Sequence, residues 1–352
     1  ASSVISRAVG EGEHHKVQRF TTDSLILSVL LVIVFALIGF FTIEPVFKLL
    51  GASIEIMPYI KEYMHIWYLG VIFVVVPMVG NSAIRAIGDT KTPGYVMMIS
   101  ASINVVLDPL LILGIGPFPR LEVEGAAIAT VIARALTLFV ALYILVIREK
   151  MVVIEPVKFS DMLNSWKKIL YIGIPNALTK MINPIAAGII TSIVASYGIE
   201  AVAGYGVAVK LERFALLFVG ALSVVIAPFV GQNYGAGKND RVKLSIILSE
   251  KFSLISSVVG LIILAVIARP IAGLFNENKD VVEITTLYLR IVPFGYGFIG
   301  IFQIISSVLN ALNKPMHASM LTLLHMFVVY VPFALLGARL FDIKGVFLGI
   351  AS

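Results

Sequence analysis

One carboxylate interrupts an apolar segment that is long enough to cross a lipid bilayer. Asp108 lies within the segment 94–114, and Asn104 precedes it by four residues. Residues four apart share one face of an α-helix, and Pro109 cannot donate a backbone hydrogen bond to the Val105 carbonyl. A carboxylate inside a membrane costs several kcal/mol unless it is neutralised. This pattern therefore predicts a site for H⁺ or Na⁺ at Asp108 and Asn104.

Two further polar residues lie in the neighbouring apolar segments. Thr130 lies about as deep in its segment as Asp108 does in its own, so we expect it near the same site. Asn81 lies near one end of its segment and reaches the site only if its helix bends; helix capping or packing explains it equally well. The alternative for Asp108 is an acid that is paired with a partner only to fix packing.

The composition places this chain among multi-pass membrane proteins. Its 352 residues are 59% hydrophobic and 14% charged, and the mean hydropathy is +0.98. Roughly nine apolar segments of about twenty residues match the ~30 Å hydrocarbon core at ~1.5 Å per helical residue. The net charge of +6 comes from basic loops, so it does not indicate a nucleic-acid partner. With no cysteine, a disulfide or a thiolate metal site is excluded.

Loop charges predict the orientation of the chain in the cell membrane. Successive loops lie on opposite sides of the membrane and so form two sets, which hold 14 and 7 Lys or Arg residues. The positive-inside rule predicts that the set with 14 is cytoplasmic. We expect an amino-terminal lobe at 1–147, a cytoplasmic linker at 148–168 and a carboxy-terminal lobe at 169–352. Within the first lobe, 9–23 is predicted to be a polar loop, and Pro45 is predicted to end the first complete span.

An internal repeat relates the two lobes. A shift of 225 positions pairs many residues, and with a gap of two Pro109 meets Pro332 and Gly114 meets Gly337. Duplication predicts an all-α protein of two pseudo-symmetric six-helix lobes. By the same arithmetic we expect the parent protein to have twelve helices. Of these, we expect this chain to lack the first and most of the second, and to contain only part of the last.

The polar residues of the first lobe do not recur in the second. The residues that replace Asn104, Asp108 and Thr130 are Phe327, Val331 and Ile350. The repeated fold therefore does not need the polar set, which favours a functional role for it in the first lobe alone.

The second lobe carries its own polar residues. Between two helix-breaking prolines, a cavity wall is predicted at Thr179, Lys180 and Asn183, although Lys180 can instead extend to the membrane surface. A second cluster, expected to pair internally or to face water, comprises Lys210, Glu212 and Arg213.

Four motifs together resemble the multidrug and toxic compound extrusion (MATE) family. They are 6–12 (SRAVGEG), 231–238 (GQNYGAGK), 85–90 (RAIGDT) and the Asn104–Gly114 segment. The resemblance implies two six-helix lobes that enclose a cavity, and export of organic cations and drugs by antiport against Na⁺ or H⁺. It also implies that Asp108 and Asn104 belong to the amino-terminal cation site, with Thr130 and Asn81 matching less closely. That family branch uses a further acid on the first helix, which this chain lacks.

The resulting hypothesis is a cation-coupled exporter that works by alternating access. Its partners are the lipid bilayer and small organic cations, it needs no cofactor beyond the coupling ion, and we expect a monomer. A flippase for lipid-linked oligosaccharides from the same superfamily is the alternative. Such flippases usually have several basic residues lining the cavity, and this chain could use Lys180, Lys210, Arg134 and Arg290. An intramembrane enzyme is disfavoured because the chain offers only one secure intramembrane acid.

Overall fold

The computed structural model describes residues 1–153 and 158–352, and in these ranges it is helical without any strand. Within these ranges, eight helices are long and apolar enough to cross a membrane, or nine when one bent pair is counted as a single span. Their outward side chains include many large apolar residues, for example Phe35, Phe41 and Leu49, which are 66, 79 and 88% exposed. Such surfaces suit lipid rather than water. The predicted all-α membrane fold is confirmed.

The chain divides into two compact units, 1–169 and 170–352. The helices that begin in the first unit are α1 (Ser2–Gly10), α2 (His14–Leu49), α3 (Met57–Gly70), α4 (Ile72–Ala86), α5 (Lys91–Leu113), α6 (Glu122–Tyr143) and α7 (Phe159–Ala195). A π-helical turn, Ile144–Arg148, extends α6. Helices α3 and α4 meet at an angle of 40° and together form the bent span.

Two sequence predictions in the first unit were wrong. The expected polar loop at 9–23 is mostly helix, with a short turn at Gly12, where φ is +74°, between α1 and α2. The polar side chains of 9–23 are compatible with an α-helix, so the helical structure is interrupted only at the turn around Gly12. Helix α2 also continues through Pro45 to Leu49. Proline removes only its own N–H, and the last turn is held by Glu44, which pairs with Lys48 at 2.6 Å.

Helices α5 and α6 approach each other closely. The Ser100 hydroxyl on α5 donates to the Ala133 carbonyl on α6 at 2.7 Å. Near the end of the pair, a methyl group at Gly125 would lie 2.6 Å from the Leu111 carbonyl oxygen. Glycine at position 125 therefore allows the two backbones to touch, and this contact fixes α5, the helix that carries Asn104 and Asp108.

An ion pair joins the α4–α5 turn to the end of α6. The Asp89 carboxylate accepts hydrogen bonds from the Thr92 backbone N–H at 2.9 Å and from Arg148 Nη2 at 3.0 Å. Burial raises the pKa of Asp89, but the hydrogen bonds from Thr92 and the Arg148 charge outweigh it and hold the pKa below the usual 3.8. The ionised carboxylate therefore stabilises the folded state.

We expect Asp89→Asn to lower the thermal unfolding temperature in detergent by about 1–3 °C at neutral pH. Because the folded pKa is depressed, this contribution is complete above pH 3.8 and is lost as pH falls through the lower folded value. The difference between wild type and variant should therefore vanish in strong acid. Glu55→Gln, which removes an exposed carboxylate, is the control. A difference that persists at the lowest pH would contradict this account.

The second unit continues α7 and adds seven helices. They are α8 (Ile199–Ala215), α9 (Leu217–Gly235), α10 (Asn239–Phe275), α11 (Lys279–Ile291), α12 (Tyr296–Ala311), α13 (Pro315–Leu324) and α14 (Val331–Ile350). A 3₁₀ turn, Val292–Gly295, joins α11 to α12, and a π-helical segment, His325–Tyr330, joins α13 to α14. Helix α14 is kinked at Asp342, where φ is +51°.

Aromatic rings fill the core of the second unit. Tyr288 is 2% exposed, and its ring lies edge-on to Tyr205 at 5.7 Å and to Phe347 at 5.1 Å. Gly337 and Gly345 face each other so closely that a methyl group on either would overlap the backbone of the other. Position 345 corresponds in the repeat to Gly125, so each unit uses glycine for a close helical approach.

The predicted linker at 148–168 is partly helical. Residues 154–157 lie outside the described residues, and α7 begins at Phe159. The Trp166 indole N–H donates to the Asp23 carbonyl on α2 at 3.0 Å, so the first turns of α7 pack within the first unit. The predicted lobe boundaries and the cytoplasmic side of the linker stay predictions.

Candidate functional site

The Asn104 amide and the Asp108 carboxylate meet on one face of α5. Asn104 Nδ2 donates to Asp108 Oδ1 at 3.2 Å, and both residues are half-buried. Among the described residues, no salt bridge involves Asp108. The alternative of an acid held by a basic partner therefore has no support within this part of the chain. The second carboxylate oxygen and the Asn104 Oδ1 atom are left as acceptors.

Asn81 lies on α4 and Thr130 on α6, the helices that come before and after α5 in the chain. The Thr130 hydroxyl donates to the Ala126 carbonyl of its own helix at 3.0 Å. Asn81 is 1% exposed, and neither its side-chain oxygen nor its side-chain nitrogen has a hydrogen-bond partner among the described residues. The span that carries Asn81 is bent, as its predicted approach to the site requires. The structure thus joins Asn104 to Asp108 directly, and among the described hydrogen bonds neither residue is bonded to Thr130 or Asn81.

A cavity of about 660 Å³ lies within the second unit. The three residues predicted to line a cavity, Thr179, Lys180 and Asn183, all lie on its wall. The Thr179 hydroxyl donates to the Pro175 carbonyl at 2.8 Å and pairs with the Ser319 hydroxyl, also at 2.8 Å, whereas Lys180 and Asn183 are exposed. A cavity of this size suits a small molecule.

Glu212 lies on the wall of this cavity, and its hydrogen-bond partner was not predicted from the sequence. Its carboxylate accepts a hydrogen bond from the Tyr288 hydroxyl. The expected ion pairing with Lys210 or Arg213 is not found among the described salt bridges. A glutamate among apolar residues drew attention to Glu212 in the sequence. Its partner, Tyr288, could not be identified because it lies 76 residues away.

Two amides on the same wall pair with each other. Asn176 Nδ2 donates to Asn310 Oδ1 at 2.7 Å, and Asn310 Nδ2 donates to Asn176 Oδ1 at 2.9 Å. This reciprocal pair joins α7 to α12. It consumes polar groups that a ligand would otherwise contact, so its role is to hold the cavity wall.

The two sites differ in what they can bind. The α5 site offers a carboxylate and an amide, which are the oxygen donors that H⁺ and hard cations prefer. The described residues contain no group of three or more His, Cys, Asp or Glu that could hold a metal ion, so a transition-metal centre is not indicated in them. The cavity of the second unit instead offers amides, hydroxyls, aromatic rings and basic side chains.

The chain matches a known family over most of its length. The MatE family profile covers residues 1–110 and 175–336. The "FAD transporter" of Shewanella oneidensis is 38% identical over 349 residues, which cover 99% of this chain and 77% of that protein. The multidrug export protein MepA of Staphylococcus haemolyticus is 27% identical, with 97% and 74% covered.

Solved structures agree with this match. The Vibrio cholerae MATE transporter VcmN in its bent form is 28% identical, with a TM-score of 0.93 over 99% of this chain and 78% of that chain. The helices and the matches define a multi-pass transporter of the cell membrane, not an enzyme. The chain belongs to the MatE family, the multidrug and toxic compound extrusion transporters.

Proposed function

We propose that this protein is a cation-coupled exporter in which Asp108 and Asn104 bind the coupling ion. The observation that carries the proposal is a half-buried carboxylate, inside a membrane-spanning helix, whose hydrogen-bond donor is a neutral amide. A carboxylate there is stable only when a proton, a Na⁺ ion or another cation neutralises it. Binding of that ion can therefore shift the balance between two conformations of the transporter.

Asn81 and Thr130 are proposed as further members of the ion site. Asn81 brings a buried amide with unused donors and acceptors, and Thr130 brings a hydroxyl oxygen that retains acceptor capacity. Movement of the bent α3–α4 span would bring Asn81 to the carboxylate. The ion site is thus proposed to become complete in only one of the two conformations.

The names of the relatives support two different substrate classes. Several relatives have names that specify multidrug resistance or export, which supports drugs as substrates. The Shewanella oneidensis relative is named a FAD transporter, which supports a flavin dinucleotide instead. The proposed substrate cavity in either case includes Thr179, Lys180 and Asn183. None of these names concerns lipid-linked oligosaccharides, so the flippase alternative gains no support.

Proteoliposomes that contain the protein would test the coupling. A Na⁺ gradient or a pH gradient would be imposed separately, and movement of a fluorescent dye cation and of FAD would be followed under each. We expect one of the two gradients to drive transport of at least one substrate, and the ionophore that collapses that gradient to stop it. Equal transport with and without both gradients would contradict cation coupling.

A further inference from the structure

The polar groups on the cavity wall of the second unit fall into two sets. Several are satisfied by the protein itself, as the Asn176–Asn310 amide pair and the Glu212–Tyr288 pair illustrate. The side chains of Lys180 and Arg213 have neither a hydrogen bond nor a salt bridge within the described part of the chain, and both are exposed on the wall. Arg213 also interacts electrostatically with Glu212. Within the described residues, neither basic side chain would have to give up a hydrogen bond or a salt bridge to contact a ligand.

The charges on this wall favour an anion. Lys180 and Arg213 are two cations against the single carboxyl group of Glu212, and that carboxyl group already accepts the Tyr288 hydroxyl. A permanently charged organic cation would meet repulsion from both basic side chains. Arginine and lysine are also the side chains that most often bind phosphate in proteins.

The same wall offers faces for a planar ring. Phe298 lies on the wall with 68% of its surface exposed, and Phe302 stands beside His325 with ring centroids 4.9 Å apart. Gln303, on the same helix as the two phenylalanines, adds an amide that can pair with the edge of a heterocycle. Aromatic stacking and an amide are the groups that proteins use to hold such rings.

We propose that this cavity binds phosphate esters that carry a planar heterocyclic ring, with Lys180 and Arg213 on the phosphate and Phe298 on the ring. The inference rests on the proposed export function, and within it selects an anionic substrate class rather than organic cations. Lys180 therefore contributes its charge to the ligand instead of extending to the membrane surface.

Binding of flavin mononucleotide and of riboflavin to the purified protein in detergent tests the proposal, because the two molecules share a ring and differ by one phosphate. Flavin fluorescence would report both, without any ion gradient. We expect flavin mononucleotide to bind at least about tenfold more tightly than riboflavin. Lys180→Gln and Arg213→Gln should each remove about tenfold of that preference, and Lys180→Arg should retain it.

Controls separate the charge from general damage. Lys243→Gln removes an exposed lysine on α10 and should leave binding unchanged. Equal affinity for flavin mononucleotide and riboflavin, tighter binding of the dye cation ethidium, or full competition by inorganic pyrophosphate at the same concentration would each overturn the proposal. The binding assay uses no ion gradient, whereas the coupling proposal is judged by gradient-driven transport, so failure of the coupling proposal is distinguishable from failure of this one.

Discussion

Replacing Asp108 by asparagine is expected to reduce gradient-driven transport at least about tenfold, because the amide can neither take up a proton nor balance the charge of Na⁺. The substitution keeps the size of the side chain and can keep a hydrogen bond with Asn104. Folding and membrane insertion should therefore be preserved. Transport under the driving gradient in proteoliposomes is the measurement, with the protein content of the vesicles determined for each variant.

The matched control for this substitution is Asp240→Asn. Asp240 is an exposed carboxylate in the first turn of α10, so the control removes the same charge away from the proposed site. We expect it to transport at the wild-type rate. Normal gradient-driven efflux by Asp108→Asn would exclude Asp108 as the coupling residue. An equal loss in both variants would point to a general effect of charge.

Replacing Gly125 by alanine is expected to destabilise the protein by about 1–3 kcal/mol, which lowers the unfolding temperature by roughly 3–8 °C. The added methyl group would lie 2.6 Å from the Leu111 carbonyl oxygen, and a backbone atom cannot move aside as a flexible side chain can. The helices α5 and α6 would have to separate. Thermal unfolding of the purified variant in detergent measures the effect.

Gly94→Ala supplies the comparison for Gly125→Ala. Gly94 also lies in a helix of the first unit, but a methyl group there would meet no atom within 4 Å. Since alanine is the better helix former, we expect the unfolding temperature to stay the same or to rise slightly. Equal losses in the two variants would mean that the close approach of α5 and α6 contributes little to stability.

Local features of the fold and the site could be predicted from the sequence. The Asn104–Asp108 hydrogen bond follows from a spacing of four residues on a helix, and hydropathy located the long apolar spans. The helix through Pro45 was missed because the proline rule treats one lost hydrogen bond as an end, although the Glu44–Lys48 pair holds the last turn. The cation-binding role of the α5 pair stays a prediction.

Contacts between distant segments could not be predicted in this way. The Glu212–Tyr288 pair joins residues that are 76 positions apart, and the Asn176–Asn310 pair joins residues that are 134 apart. No periodicity in a single sequence records which helices become neighbours. The sequence singled out five lining residues of the second-unit cavity, three of them as a cavity wall, but the other helices that complete the wall came into view only with the structure.

The helices α2, α7 and α10 contain 36, 37 and 37 residues, so each is about 55 Å long and nearly twice the thickness of the hydrocarbon core. Tilting can absorb part of the excess, and the polar first turns at His14, Phe159 and Asn239 can lie in water. In that position these turns would be helical epitopes outside the lipid. Antibody fragments raised against them would enlarge the particle for electron cryomicroscopy without touching the Asp108 region or the cavity of the second unit.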